Sequence, residues 1–303
     1  MTHQLYTQVS IVGPGLIGGS IGMVLRTRGL AGRVVGIGRR ESSLQEALDV
    51  GAVDEVTCTV REGVAGSDLV ILATPIRAFR KLSRAVVPAM ETGAVLSEVA
   101  STKMGVIETL RPETRKRDDV TLIPSHPMAG SEKRGAPNAS EALFENSTCI
   151  LTPLPGTPAD KLSRIRELWE AMGAAVHEMS AEEHDRTVAA VSHLPHLGAA
   201  CVARIVAEKD GRFAGGGYMD TTRVASGDPR LWRDICESNA GEISTTLESF
   251  AREINTLREL FRQEDFDAIE EFLARAKQRR DRIVRNQIQG DSDDATVQNR
   301  DDT

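Results

Sequence analysis

Apolar and polar positions follow two regimes along this chain, and the change falls near residue 180. Before it, short β-branched runs alternate with amphipathic stretches. The runs at 8–12, 33–37, 53–57, 68–73, 94–99 and 120–123 read as strands, as do 148–151 and 174–178. Helical spacing fills most gaps, ending near Gly29 and then over 41–50, 77–90, 103–110 and 159–172. Alternation with short loops predicts a parallel, doubly wound sheet, the α/β class. From Ser180 strand signals stop and helical periodicity runs to Asn286, broken near Pro195, in a Gly211–Gly217 loop and at Gly227-Asp228-Pro229. Apolar residues such as Ile243, Leu247, Phe250, Ile254 and Leu257 are many for so small a helical domain, which predicts dimerisation, with packing on the first domain as the alternative. Residues 287–303 are Gly, Ser, Asp, Asn, Gln and Thr for the most part and read as a disordered tail. The expected organisation is thus 1–179, 180–286 and a tail.

Between the first strand and the first helix stands Gly13-Pro14-Gly15-Leu16-Ile17-Gly18, G-x-G-x-x-G in its required setting. Gly13 allows the turn, Gly15 lets backbone approach a pyrophosphate, and Gly18 permits close helix–strand packing. The helix N-terminus beyond it offers free N–H groups to phosphates. This makes residues 1–179 a Rossmann-type dinucleotide-binding domain, with Gly13, Gly15, Leu16, Ile17, Gly18 and Thr74 facing the cofactor. An NAD-preferring site ends its second strand with an acidic residue. Here that position is Gly38, and Arg39 and Arg40 follow. Two guanidinium groups suit a 2′-phosphate, so the cofactor is NAD(P) with a leaning to NADP. The competing reading has both arginines on the adenine or in solvent, and Glu41 on the ribose.

The 303 residues allow one large domain or two ordinary ones, and a net charge of -7 without a basic stripe speaks against nucleic acid. No run of eighteen apolar residues appears, so no membrane span is predicted. Met-Thr-His-Gln-Leu-Tyr-Thr-Gln lacks the layout of a signal peptide. Cys58, Cys149, Cys201 and Cys236 are scattered and read as reduced, mostly buried thiols in a cytoplasm. No ligand spacing for a metal stands out.

Candidate chemistry sits in five segments. Ser-His126-Pro-Met-Ala-Gly-Ser131-Glu132-Lys places a histidine just after a strand's C-terminal end, suited to exchange a proton with a small molecule. Ser101 follows another strand at the ligand-binding edge. Ser-His193-Leu-Pro-His196 sets two histidines on one face if the backbone is helical. Asp220-Thr-Thr-Arg223 supplies an arginine able to clamp a carboxylate with two parallel hydrogen bonds. Leu-Trp232-Arg-Asp adds an aromatic. Taken singly, Ser101 is equally a helix cap, His193 a core histidine and Arg223 a surface ion-pair partner.

Together, Val-Gly-Pro-Gly-Leu-Ile-Gly-Gly-Ser, Glu-Val-Ala-Ser-Thr-Lys, Ser-His-Pro-Met-Ala-Gly-Ser-Glu-Lys, Ser-His-Leu-Pro-His, Asp-Thr-Thr-Arg and Leu-Trp-Arg-Asp resemble the prephenate/arogenate dehydrogenases of tyrosine biosynthesis, over residues 8–285. The resemblance implies a Rossmann-type domain followed by an all-helical dimerisation domain, and a homodimer acting on a small molecule. It implies oxidative decarboxylation with hydride transfer to NAD(P). It also implies roles: His126 accepts the ring-hydroxyl proton, Ser101 hydrogen-bonds that hydroxyl and the histidine, and Arg223 holds the ring carboxylate. Ser131 stands where the family more often has threonine, and Glu132 matches an acidic residue at the pocket mouth. His196 matches a histidine near the substrate side chain, with His193 its structural companion. Asp220 and Trp232 match residues reaching in from the partner subunit.

The chemistry suits these groups independently. Oxidation needs a hydride acceptor and a base on the hydroxyl, and loss of carbon dioxide then aromatises the ring, so the protein need only position, deprotonate and hold charge. Two competitors remain: a hydroxyacid dehydrogenase or imine reductase of similar layout, and a non-catalytic nucleotide sensor. The hydroxyacid members of the former use a lysine base on a helix of the second domain, and Lys209 and Lys277 lie in highly polar surroundings. The latter has no use for a base and a carboxylate clamp.

Overall fold

The glycine-rich turn fixes the start of the fold. In this computed structural model, which describes residues 3–130 and 133–298 (side chains through 285), β1 (Tyr6–Val12) runs into the turn and α1 (Leu16–Thr27) leaves it. Gly13 adopts φ +94°, and a Cβ there would stand 2.7 Å from the Ala73 carbonyl oxygen, so only glycine fits. A Cβ on Gly18 would lie 2.4 Å from the Gly13 oxygen. The helix therefore seats directly on the strand, burying Ile21, Val24 and Leu25.

Next come β2 (Ala31–Ile37), α2 (Glu41–Asp49), β3 (Glu55–Thr57), α3 (Val60–Val64) and β4 (Leu69–Leu72). Then α4 (Phe79–Val86), β5 (Val95–Glu98), α5 (Met104–Thr114) and β6 (Thr121–Leu122) complete the sheet. It is six-stranded and parallel, in the order β3-β2-β1-β4-β5-β6. Two apolar clusters, one on each face, fill it: Ile11, Val34 and Leu69 point to one, Val12, Val35 and Val70 to the other. The strand order reverses between β1 and β4, the crevice where such sheets bind ligands.

The last strands depart from expectation. After β6 the chain meets Pro124, which has no N–H to continue a ladder, and Ser125–Pro127 forms β7 in a separate three-stranded sheet. There β7 runs antiparallel to β8 (Thr148–Leu151), which pairs parallel with β9 (Ala175–Glu178) across α6 (Ala159–Ala171). His126 therefore sits inside a strand, opposite Ile150, rather than in a loop after one. The predicted strands 148–151 and 174–178 exist but do not extend the large sheet.

Beyond residue 180 the chain is helical. α7 (Ala181–Val188), a π-helical turn (Ala189–His193) and α8 (Leu194–Ile205) form one continuous run. Pro195 lacks the N–H that would bond the Val191 carbonyl, and the π turn stands just before it. Among the described residues, this run alone is long and apolar enough to cross a membrane by length and composition, although it holds no eighteen consecutive apolar residues. Its His184, Asp185 and His193 are buried within the protein, while Val191, Val202 and Ile205 on the same run are exposed. The expected Gly211–Gly217 loop is instead a 3-10 segment, Glu208–Phe213, followed by α9 (Gly216–Thr222). A 3-10 turn, Arg223–Ser226, leads to α10 (Pro229–Ser238), which Asp228 caps by accepting the Arg230 N–H at 3.1 Å.

Contacts group the chain as far as Ser244 into one unit, in which α7 and α10 each pack against α5. α11 (Ala240–Arg262) crosses into the second unit, which α12 (Phe266–Gln298) completes. α12 continues through Gln298 with no proline to stop it, so the expected disordered tail is helical over 287–298. Residues 299–303 lie outside the described residues.

Candidate active site

The carboxyl ends of β1, β4 and β5 supply the frame. Gly15 precedes α1 with no side-chain cap and no acidic residue in the first turn, and nothing lies within 4 Å of where its Cβ would be. The Leu16, Ile17 and Gly18 amides thus open a helix N-terminus onto free space, the setting an anion needs. Thr74, just past β4, has a buried hydroxyl with no partner, a further polar atom at that edge. A dinucleotide phosphate fits this cradle. At the end of β2, Gly38 carries no carboxylate, and Arg39 and Arg40 are exposed.

β5 ends in Glu98, and its side chain turns inward. Glu98 and Lys103 are both fully buried and form an ion pair. The carboxylate also accepts the Ala100 N–H at 2.7 Å, while the ammonium donates to the Ser125 carbonyl oxygen at 2.6 Å. Burial raises the Glu98 pKa and lowers that of Lys103, and each partner opposes the other's shift. Ser101 lies half-buried between these two residues, at the entry to α5.

His126 is 7% exposed, and its Nδ1 lies 2.8 Å from His184 Nε2. His184 Nδ1 lies 2.7 Å from Asp185 Oδ1. Asp185 in turn accepts the backbone N–H groups of Lys103 at 2.7 Å and Met104 at 2.9 Å, so α7 caps α5. Burial, and next the Lys103 charge, hold the His126 pKa well below the usual histidine value. Burial also lowers His184, against the pull of Asp185. His126 is consequently neutral near pH 7, the form that accepts a proton.

His193 completes the cluster from the π turn. Asn239 Nδ2 donates to the Asp185 carbonyl at 2.8 Å and lies 3.3 Å from His193 Nδ1, leaving His193 Nε2 buried with no partner. Its pKa is pushed down to about 4, first by burial. His196, one turn on, stacks on Trp232 with ring centroids 3.4 Å apart, and His193 meets the same indole edge-on. The resemblance has Trp232 arriving from a partner; within one chain it already faces both histidines, because Gly227 lets the chain pass close by.

The structure thus gathers His126, His193, His196 and Trp232. Arg223, in its 3-10 turn, and Asp220, on α9, are exposed and have no side-chain bond to the histidines. Ser131 and Glu132 lie outside the described residues. Sequence reasoning missed His184, Asp185, Lys103, Glu98 and Asn239. A visible signal was the adjacent His184-Asp185 pair nine residues ahead of His193 in a helical pattern.

A family model for the prephenate dehydrogenase nucleotide-binding domain matches residues 21–178, and one for the prephenate dehydrogenase dimerization domain matches 180–275. The cyclohexadienyl dehydrogenase of Zymomonas mobilis is 32% identical over 91% of this chain and 96% of its own. The Aquifex aeolicus prephenate dehydrogenase, solved with hydroxyphenyl propionate and NAD+, superimposes with a TM-score of 0.83 at 32% identity, covering 91% of this chain and 98% of its own. The Synechocystis arogenate dehydrogenase gives a TM-score of 0.79 at 27% identity, covering 91% and 99%. With a glycine turn open to phosphates, a histidine buried in β7 and these matches, the chain is an oxidoreductase that belongs to the prephenate dehydrogenase family.

Proposed function

We propose that the protein catalyses the oxidative decarboxylation of prephenate or arogenate, giving 4-hydroxyphenylpyruvate or tyrosine, with His126 as general base. The observation that carries this reading is a buried, neutral His126 with Nδ1 committed to His184, which leaves Nε2 for the substrate hydroxyl. Leu16, Ile17 and Gly18 offer backbone N–H groups to the cofactor pyrophosphate, with Thr74 at the facing strand end. The bound nicotinamide supplies the acceptor for the hydride. Ser101 hydrogen-bonds the hydroxyl, and Arg223 holds the ring carboxylate until it leaves as carbon dioxide. His193, as an Nε2–H donor with no partner of its own, and His196 face the side chain of the substrate.

NADP is the preferred cofactor in this reading, since Gly38 offers no carboxylate and Arg39 and Arg40 stand free to meet a 2′-phosphate. The working form is a homodimer built on the helical region from 180 onward, where Ile205, Phe213, Phe261 and Leu273 are exposed apolar side chains. Asp220 and Trp232 then also border the partner's site. A cytoplasmic setting accords with four free cysteines, of which Cys149 alone is buried, against the expectation that most would be.

The deciding experiment follows absorbance of the reduced nicotinamide with prephenate and arogenate against NAD and NADP. Turnover of either substrate supports the reading. Inactivity of the folded, cofactor-bound dimer on both sinks it.

A further inference from the structure

Asp185 anchors a chain of hydrogen bonds whose directions are all determined. Its carboxylate is buried at the N-terminal end of α5, where it accepts two backbone N–H groups, a place that favours an anion. A carboxylate offers only lone pairs, so His184 Nδ1 must donate to Oδ1. A neutral imidazole has one N–H, which leaves His184 Nε2 as an acceptor. His126 Nδ1 therefore donates to it. The lone pair of His126 then lies on Nε2, the nitrogen the hydrogen bond leaves free.

We propose that His184 and Asp185 are positioning residues for the proton transfer: they hold His126 as its Nδ1–H tautomer, and they take up positive charge when Nε2 is protonated. This rests on His126 being the base. The step balances simply. The O–H bond of the substrate hydroxyl breaks and an N–H bond forms at His126 Nε2, while the Nδ1 proton moves toward His184 Nε2. His184 keeps its own Nδ1 proton against Asp185, and no electron is exchanged in the proton step.

The charges around the pair favour this path. Lys103 lies close enough to both rings to oppose positive charge on either. His193 also bears on His126 and His184, but its contact with this group runs through Asn239. Glu98 is already paired with Lys103. His184 is the ring that touches a carboxylate directly, so positive charge costs least there.

A helix staple alone would predict the same hydrogen bonds, so the test needs a readout that a staple does not move. Ring-nitrogen NMR of the 15N-histidine-labelled, cofactor-bound enzyme reports which nitrogen of His126 carries the proton. In the wild type it is Nδ1. In His184→Phe, which keeps a ring but no acceptor, the proton shifts to Nε2 and kcat falls roughly 10²–10³-fold with KM little changed. In His184→Gln, whose side-chain oxygen can accept but cannot take a proton, kcat falls roughly tenfold. If His184→Phe does not fold by circular dichroism, His184→Gln decides alone. Wild-type kcat in His184→Gln, or an unchanged His126 tautomer in a folded His184→Phe, overturns the proposal. His126→Asn separates the two claims: if it stays active, the base reading itself has failed. If it is inactive while both His184 variants match wild type, only the positioning role is wrong.

Discussion

Lys103 Nζ donates to the backbone carbonyl oxygen of Ser125 at 2.6 Å, tying a fully buried cation to the residue just ahead of His126. The same ammonium pairs with buried Glu98, and the backbone N–H of Lys103 bonds Asp185. One residue thus joins β5, β7 and α7 beneath the site. Removing its charge leaves a carboxylate buried without a counterion, which typically costs about 3–5 kcal/mol. We expect Lys103→Met to lose that much stability by denaturant unfolding at fixed protein concentration. The double change Lys103→Met with Glu98→Gln should recover most of it, because the amide oxygen still accepts the Ala100 N–H. A double variant no more stable than the single one would show that the ion pair is not what the fold depends on here.

The pH dependence of activity and of stability should diverge. Burial and Lys103 keep the His126 pKa well below 6.5 in the folded protein. Folding therefore favours the neutral ring, and the base stays ready on the acid side of 6.5. The stability sign is the opposite: below about pH 6.5 the unfolded chain binds protons that the folded one refuses, so stability falls with acidification, by up to about 1.4 kcal/mol per pH unit for each such histidine. His184, His193 and His196 add to the slope, and for His193 the loss extends down to about pH 4. kcat/KM measured from pH 5 to 8 should hold on its acid side below 6.5, while the Tm drops over that range. An acidic limb at or above 6.5 would contradict the placement of Lys103 beside the base.

Much of this was legible beforehand, and the rest was hidden for identifiable reasons. Gly13, Gly15 and Gly18 sit between a β-branched strand and an apolar helix, a purely local pattern, and it marks the phosphate cradle unaided. β7 was hidden because three residues carry no periodicity, and only the pairing of His126 with Ile150 across the chain defines them. α3 was hidden for a like reason: Val60–Val64 is one short turn between strands, its Gly63 packed close to Ile37. Asp185 and Lys103 are eighty-two positions apart, so neither shows that one caps the helix the other opens. Long-range electrostatics leaves little trace in spacing.

Arg223 is exposed in its 3-10 turn, which makes its removal nearly silent for the fold. In the carboxylate-clamp role it contributes a charge-assisted bond of about 1.5–3 kcal/mol. Arg223→Ala should then raise KM for prephenate roughly ten- to a hundredfold or somewhat more, with unfolding unchanged within about 0.5 kcal/mol. Steady-state kinetics beside a denaturation curve reads both. An unchanged KM would remove Arg223 from the pocket, whereas lost stability would give it a structural role instead.

Cofactor choice turns on three neighbouring positions. β2 ends at Ile37 and delivers Gly38, Arg39 and Arg40 to the edge where an adenine ribose lies in this fold. A carboxylate at the strand end would accept both ribose hydroxyls and repel a 2′-phosphate; glycine does neither. Glu41 begins α2 rather than ending β2, and as an exposed first-turn residue it complements that helix's own dipole. The two guanidinium groups are exposed, and a planar fork meets a phosphate in a bidentate way that a ribose cannot match. A charge-assisted contact of about 1.5–3 kcal/mol translates into roughly ten- to a hundredfold in affinity. We therefore expect kcat/KM to be higher for NADP than for NAD. Arg39→Ala should lower the NADP value by about that factor and leave NAD within a few-fold. Gly38→Asp should move the ratio toward NAD, although its Cβ would press on Leu44, whose Cδ2 stands 2.9 Å away, and some stability would be lost. A wild-type preference for NAD would mean that the arginines stack on the adenine or face solvent and that Glu41 reaches the ribose after all.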